Sequence, residues 1–203
     1  MRQTINVDPR LHIDKLGDLF DSPKIIRVTE FTEDSLEEFE KDMAEAHATD
    51  QPVIPIIIDS YGGQVYSLFG MLSAIENADV PIATICTTKA MSCGSALFCW
   101  GTNGFRFMDP HATIMIHDVS GGAFGKIEEI KSSVKQADKL NKQLFVRMAK
   151  RLGHSSNYVL DMLDTKKHAE WFLSAREAKK HNIVNELRIP QFQIDLKLEM
   201  SFV

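Results

Sequence analysis

Two almost unbroken runs of apolar residues, at 53–58 and 82–86, stand out in the first half of the chain. Such runs are typical of strands buried on both faces of a sheet. Pro55 has no N–H group for a strand ladder, so we expect it at an early strand position or at a bulge. Shorter strands are predicted at 25–28, 105–108 and 113–116, and short turns at 59–63 and 89–94 follow the two long runs.

Helices are predicted where apolar residues recur at steps of three and four. The first begins after a cap at Thr32 or Asp34, and the longest covers 126–152, where Gly153 is placed to stop it. A shorter helix is predicted over 156–164, and Ser174 with Glu177 forms a capping box for the last one. Alternating strands, turns and helices predict an α/β fold with a largely parallel sheet.

Composition narrows the class of protein. The chain has 203 residues and a formal net charge of −5, with basic residues scattered, which argues against a nucleic-acid partner. No apolar run reaches the ~18 residues of a membrane span, and the N-terminal segment lacks the apolar core of a signal peptide. The three cysteines, Cys86, Cys93 and Cys99, have no metal-ligand spacing. We therefore expect a soluble, cytoplasmic domain with reduced thiols and no metal.

Three predicted strand ends carry residues suited to acyl transfer. Ser92 lies in a tight turn before a helix, His117 ends an apolar strand, and Gly62 with Gly63 lets main-chain N–H groups approach a ligand. A serine nucleophile needs a base, an acid that orients the base, and donors to an oxyanion. Taken singly, each residue is more often an ordinary turn or strand-end residue. Cys93 is a rival nucleophile, although a small buried thiol is the commoner role for such a residue.

In order and spacing, these segments resemble the ClpP family, the proteolytic subunits of the Clp protease. Residues 57–63 resemble its strand and Ser-Pro-Gly-Gly turn, with Tyr61 in place of proline. Residues 84–96 resemble the nucleophile segment, 106–117 the run ending in the histidine, and 172–178 the motif after the catalytic acid. Residues 183–187 resemble the last strand of the family.

The resemblance implies a role for each site residue. Ser92 is the implied nucleophile, His117 the general base, and the N–H groups of Gly63 and Cys93 the oxyanion hole. The implied acid is Glu170, four residues before Ser174, where the family usually has aspartate. Glutamate orients the imidazole in other serine hydrolases. Asp164 and Asp161 are the alternative acids.

The resemblance also implies an architecture and partners. We expect ClpP/crotonase-like repeated β-β-α units with a protruding long handle helix, in a peptidase domain at 24–187. Residues 1–23 would form an N-terminal arm and 188–203 a C-terminal tail, whose alternating apolar residues could add an edge strand. Unfolded polypeptides would be cleaved without a cofactor or metal inside a homo-oligomer of stacked heptameric rings, with an AAA+ unfoldase as a possible partner. Trp171 stands where many members carry an arginine that contacts the opposite ring.

Two other classes of function remain open on the sequence. Crotonases share the related fold and stabilise an enolate of an acyl-CoA thioester in a similar oxyanion hole. Some ClpP-like subunits have lost catalytic residues and serve as ring components or assembly scaffolds. Ser92 and His117 together favour the peptidase over both.

Overall fold

The computed structural model of the protein describes residues 23–122 and 124–191. Within them, six strands form one sheet in the order β1-β2-β3-β5-β6, and β4 also pairs with β3. The strands are β1 (Ile26–Val28), β2 (Ile54–Ser60), β3 (Ile82–Met91), β4 (Arg106–Met108), β5 (Thr113–Ile116) and β6 (Trp171–Ser174). Every pairing is parallel except that of β5 with β6. The predicted α/β fold with a largely parallel sheet is confirmed.

Helices connect most of these strands. They are α1 (Glu33–Ala48), α2 (Val65–Glu76), α3 (Cys93–Cys99), α4 (Ile127–Arg151), α5 (Tyr158–Thr165) and α6 (Ala175–Lys180). The predicted caps are present: the Thr32 hydroxyl accepts from the N–H of Ser35, and Ser174 with Glu177 forms the capping box of α6. These side chains satisfy N–H groups that the first turn of a helix leaves unpaired.

Pro55 lies at the second position of β2, where the sequence allowed an early strand position or a bulge. The pairing of β2 with β1 begins only at Ile56, so the missing N–H of Pro55 breaks no bond to that neighbour. The register shift in β2 occurs later, between Ile58 and Ser60. Proline is thus placed where the sheet can accept it.

One predicted boundary and one predicted strand were wrong. The turn expected at 89–94 is almost absent, because β3 continues to Met91 and its last three residues pair with β5. That pairing, between residues far apart in sequence, overrides the local turn signal of the small residues. Residues 183–187 were expected to form a strand, but they contribute only an isolated bridge between Glu186 and Phe107.

The long helix α4 has two unlike halves. Its C-terminal half is packed into the core through Leu144, Phe145 and Met148, all buried. Its N-terminal half exposes Ile127 and Val134. The helix matches the expected bounds of 126–152 to within one residue at each end.

The expected N-terminal arm and the alternating apolar residues of the expected tail lie almost wholly outside the described residues. The division into arm, domain and tail therefore stays a prediction. Among the residues that are described, no helix combines the length and the apolar character needed to cross a membrane.

Candidate active site

The carboxyl ends of three parallel strands, β2, β3 and β5, meet at one edge of the sheet. β3 ends at Met91, which pairs with Met115 of β5, and the N–H of the next residue, Ser92, donates to the carbonyl of Met115 at 2.8 Å. Two residues beyond Met115 the chain reaches His117. Main-chain bonds of the sheet therefore fix the spacing between Ser92 and His117. Such strand ends are where open α/β sheets bind their ligands.

Ser92 has an unusual backbone. Ser92 occupies the N-cap position of α3 with φ 54° and ψ −121°, a backbone conformation that residues other than glycine rarely adopt. Strain of this kind persists only where the surroundings enforce it, and it is common at functional sites. The neighbouring turn packs closely against Ser92, because a Cβ at Gly62 would lie only 2.7 Å from the Cβ of Ser92. Glycine is required at 62 for this close approach.

The side chains of Ser92 and His117 meet directly. His117 Nε2 lies 2.8 Å from the hydroxyl oxygen of Ser92, which is hydrogen-bond distance. An imidazole at this distance can accept the hydroxyl proton without any rearrangement of the fold. Of the residues predicted for the site, the structure brings these two into contact.

Gly63 and Cys93, whose main-chain N–H groups were expected to bind an oxyanion, line the same cleft as Ser92. Cys93 is the first residue of α3, so its N–H has no acceptor within the helix. Gly63 has φ 153°, and its bridge with Phe31 uses the N–H of Gln64, which donates to the Phe31 carbonyl at 2.7 Å. The Cys93 thiol donates to the Gly63 carbonyl at 3.3 Å and so ties the two segments together. These donors are suited to an oxyanion beside Ser92.

Cys93 is not arranged as a nucleophile. Its side chain is buried, and this burial raises the pKa of its thiol above the ordinary value. A helix N-terminus was expected to lower that pKa, but the loss of solvation prevails. Cys93 thus has the commoner of the two roles weighed for it, that of a small buried side chain that packs and donates one hydrogen bond.

Glu170 is placed by strand register rather than by a side-chain contact. β5 and β6 are antiparallel, and their last pair is Ile116 with Trp171, so continuing this register by one residue beyond both strands would oppose His117 and Glu170. Directly opposed residues of an antiparallel pair project to the same face. The Glu170 side chain is nevertheless exposed, and among the described residues no hydrogen bond or ion pair joins it to His117.

The alternative carboxylates lie elsewhere. Asp161 and Asp164 are exposed on α5, and Asp164 lies 3.7 Å from a ring nitrogen of His168. Within the described part of the chain, neither residue forms a hydrogen bond or ion pair with His117. Register therefore favours Glu170 among the three candidate acids.

A polar group beside the site had no signal in the sequence. Asn141 and His168 each form a hydrogen bond with Asp118, although they lie 23 and 50 residues after it in the sequence. Only the adjacency of Asp118 to His117 could have suggested its importance. The positions of Asn141 and His168 in the sequence form no recognisable motif with Asp118 or His117.

A cleft of about 450 Å³ opens over Ser92 and His117. One wall is apolar and comes from Ile116, Val119, Leu144 and Phe145, while the Gly63 turn and the start of α3 supply polar main-chain groups. This combination of an apolar wall and a few polar groups is typical of a small binding site. Within 23–122 and 124–191, no three His, Cys, Asp or Glu side chains are grouped as metal ligands.

Comparison with known proteins decides the family. A family model described as Clp protease matches residues 9–189, which is most of the chain. The chain belongs to the Clp protease family.

Individual members of the Clp protease family are also similar to this chain. A Bacteroides fragilis protein named ATP-dependent Clp protease proteolytic subunit is 34% identical over 136 residues, covering 67% of this chain and 64% of the relative. A Bacteroides thetaiotaomicron protein of the same name is 32% identical over 136 residues, covering 67% of this chain and 60% of the relative. The chain thus spans less than two thirds of the length of these curated relatives.

Proposed function

We propose that this chain is a serine endopeptidase of ClpP type, which hydrolyses peptide bonds through an acyl-enzyme on Ser92. The observation that carries the proposal is the 2.8 Å contact between the Ser92 hydroxyl and His117 Nε2. It occurs on a strained residue at the start of a helix, inside a cleft, in a member of the Clp protease family. This is the geometry that an activated serine needs.

The proposed reaction has two halves. His117 Nε2 accepts the Ser92 proton as Oγ bonds to the substrate carbonyl carbon, and the N–H groups of Gly63 and Cys93 hold the negative oxygen. His117 then donates the proton to the leaving amine as the peptide bond breaks. In the second half, a water gives a proton to His117 as its oxygen bonds to the ester carbon, and His117 returns that proton to Ser92 Oγ as the ester C–O bond breaks, which releases the acid and restores Ser92. One oxyanion donor contributes about 2.7–4 kcal/mol to such a barrier.

We assign the acid to Glu170. The register of β5 and β6 supports this choice, since continuing it by one residue would oppose Glu170 to His117. The exposed Glu170 side chain would rotate toward His117 Nδ1, so that the carboxylate orients the ring and stabilises its protonated form. No metal or cofactor takes part in the proposed reaction.

The substrates, the assembly and the location are part of the proposal. Relatives named as ATP-dependent proteolytic subunits support unfolded polypeptides as substrates and a Clp-type AAA+ ATPase as partner. Exposed Ile127 and Val134 on α4 are suited to burial against another copy in a ring-shaped homo-oligomer. All three cysteines are free and buried, which supports the reducing cytoplasm.

Active-site labelling tests the proposal. The protein is treated with a fluorophosphonate, the modified residue is mapped by peptide mass spectrometry, and cleavage of unfolded casein and short peptides is assayed in parallel. We expect one label, on Ser92, and loss of both label and cleavage in Ser92→Ala. Exposed Ser133→Ala, on the outer part of α4, is the matched control and should behave as wild type.

Other outcomes would overturn the peptidase. Protein that stays unlabelled at Ser92 but turns over an acyl-CoA thioester would indicate crotonase chemistry. Rings seen by native mass spectrometry, without label and without cleavage of any peptide, would indicate an assembly scaffold.

A further inference from the structure

The segment that follows His117 is held by a single side chain of α4. The Oδ1 atom of Asn141 accepts the N–H of Val119 at 2.7 Å, and its Nδ2 group donates to Asp118 Oδ1 at 3.1 Å. One amide therefore contacts both residues immediately after His117. A planar amide that uses both ends fixes the position and the orientation of the chain that it binds.

The anchor itself is firmly placed. Asn141 is half-buried, and it lies next to Leu140 and one turn before Leu144 and Phe145, which are buried on α4. Leu144 and Phe145 also line the cleft. The core thus holds this part of α4, and Asn141 transmits its position to the residues after His117.

The second carboxylate oxygen of Asp118 is also used. Its Oδ2 lies 2.8 Å from His168 Nδ1, in the segment that leads to Glu170 two residues later. Asp118 therefore connects α4, the chain after His117 and the segment that carries Glu170. Its own carboxylate is occupied by these two contacts.

The contacts of Asp118 with His168 and with Asn141 differ in their exposure to solvent. The His168 side chain is 62% exposed and the Asp118 side chain 29% exposed, so water and salt weaken the interaction between them. The Asn141 contacts involve a half-buried amide and a main-chain N–H group, which are less exposed to competition from water. Asn141 should therefore matter more than His168.

We infer that Asn141 is a positioning residue for the proposed peptidase reaction: it clamps Asp118 and Val119 and thereby holds His117 at Ser92. His168 adds a weaker tie through Asp118 to the segment bearing Glu170. The inference rests on the proposed function, since it concerns how the imidazole is held for proton transfer. Among the described residues no hydrogen bond joins Asn141 to Ser92 or His117, so it acts through Asp118 and Val119.

The main test replaces the clamp with a side chain of similar size. Asn141→Leu is compared with Gln143→Leu, which changes an exposed amide two residues away on the same helix. A displacement of about 1 Å at a reacting group costs about 10²-fold in rate. We expect Asn141→Leu to lower kcat for a short peptide by about 10- to 100-fold, with KM within about threefold, and Gln143→Leu to match wild type.

Three further readouts separate positioning from a general loss of structure. The thermal midpoint and the native mass of Asn141→Leu should stay close to those of Gln143→Leu, while the maximal rate of Ser92 labelling by a fluorophosphonate falls together with kcat. If Asn141→Leu does not fold, Asp118→Ala removes the Asp118 half of the clamp together with the His168 contact, and it should lower kcat in the same direction with KM unchanged. A kcat within twofold of wild type in the folded variant would overturn the inference.

Rescue at position 168 tests the weaker tie. His168→Leu should lower kcat by about two- to fivefold, and His168→Lys, which restores a donor to Asp118, should recover most of it. Exposed His111→Leu is the control. Equal activity of the leucine and lysine variants would remove His168 from the inference. If Ser92→Ala is inactive but Asn141→Leu has wild-type activity, only the clamp is refuted. If Ser92→Ala is active, the proposed function itself is refuted.

Discussion

The two sides of the His117 ring are built in different ways. On the Nε2 side, Ser92 is held by the pairing of β3 with β5 and by its N–H bond to the Met115 carbonyl. The acid proposed for the Nδ1 side, Glu170, lies just before β6, is exposed, and has no hydrogen bond to His117 among the described residues. Main-chain bonds therefore fix the proposed nucleophile and base, whereas the proposed acid depends on register and on side-chain contacts such as that of His168 with Asp118.

This difference separates two properties of the proposed enzyme. The nucleophile and base are preorganised by the same bonds that stabilise the sheet, so disturbing them should also disturb neighbouring backbone. The acid can be displaced or replaced with little effect on the core, because its segment is exposed. Substitutions on the two sides should therefore differ in their effects on turnover and on stability.

The largest effect is expected on the preorganised side. His117→Ala removes the proposed base, and general-base catalysis contributes about 10²–10⁴-fold to rates. We expect peptide turnover to fall by at least about 10²-fold while the native mass is unchanged. Steady-state peptide hydrolysis measures this, with His111→Ala, an exposed histidine on the turn before β5, as control. Wild-type turnover in His117→Ala would show that the base is another group.

The acid side should show a smaller loss of rate. Glu170→Ala removes the group proposed to orient the ring, and we expect a loss of about 10²-fold with an unchanged thermal midpoint, because Glu170 is exposed. Asp164→Ala should stay within about threefold of wild type, since Asp164 faces His168 rather than His117. Peptide turnover of the two variants side by side is the measurement. A larger loss of turnover in Asp164→Ala than in Glu170→Ala would assign the acid to Asp164 on α5.

A pair of glycines tests how tightly the nucleophile turn is packed. Gly62→Ala places a Cβ 2.7 Å from the Ser92 Cβ, whereas Gly104→Ala meets nothing within 4 Å. Both glycines have positive φ, 111° and 90°, so both variants bear the cost of that backbone conformation. We expect turnover to fall by about 10-fold or more only in Gly62→Ala, because only that variant displaces Ser92. Equal activity of the two variants would show that the turn at Gly62 can shift without displacing Ser92.

The smallest effect concerns the pH dependence of the free energy of unfolding, through His181, which packs against Trp171 just after Glu170. Burial, and then the nearby His154, lowers the pKa of His181, whose ring contacts Trp171 and lies 2.5 Å from the Tyr158 hydroxyl. The unfolded chain therefore takes up this proton first as the pH falls through about 6.5. The free energy of unfolding should decrease below that pH until the folded-state pKa is passed.

Thermal midpoints between about pH 7.5 and about pH 5.5 measure this contribution. His181→Phe keeps the aromatic packing against Trp171 and removes the titrating group, so its midpoint should vary less with pH than that of wild type. His111→Phe, at an exposed position, should keep the wild-type slope. Identical slopes for all three proteins would assign the pH dependence to other groups.

The fold was predictable where local patterns and long-range pairing agree. The steps of three and four residues predicted α1 and α4 closely, and the capping signals at Thr32 and Ser174 are present. The extent of β3 was not predictable, because its last residues are strand only through their pairing with β5. Residues 183–187 show the converse: the family resemblance predicted a strand there, but the segment pairs with β4 only at Glu186 and Phe107 and forms a single bridge.

The candidate site divides in the same way. Ser92 and His117 could be named from the sequence because each directly follows a strand in a pattern typical of a family. Asn141 and His168 could not, because their contacts with Asp118 arise from the packing of α4 and of the segment before β6. The position of the Glu170 side chain depends on its rotamer, which no sequence pattern specifies.

The central claim is that Ser92 carries the acyl group during turnover. Intact-mass spectrometry after acid quench of a reaction with an activated ester, within the first turnover, tests it directly. We expect a mass increase equal to one acyl group, mapped to Ser92, that decays with the rate of product release and is absent from Ser92→Ala. Turnover with no acylated protein at any time, or with the acyl group on another residue, would contradict the account.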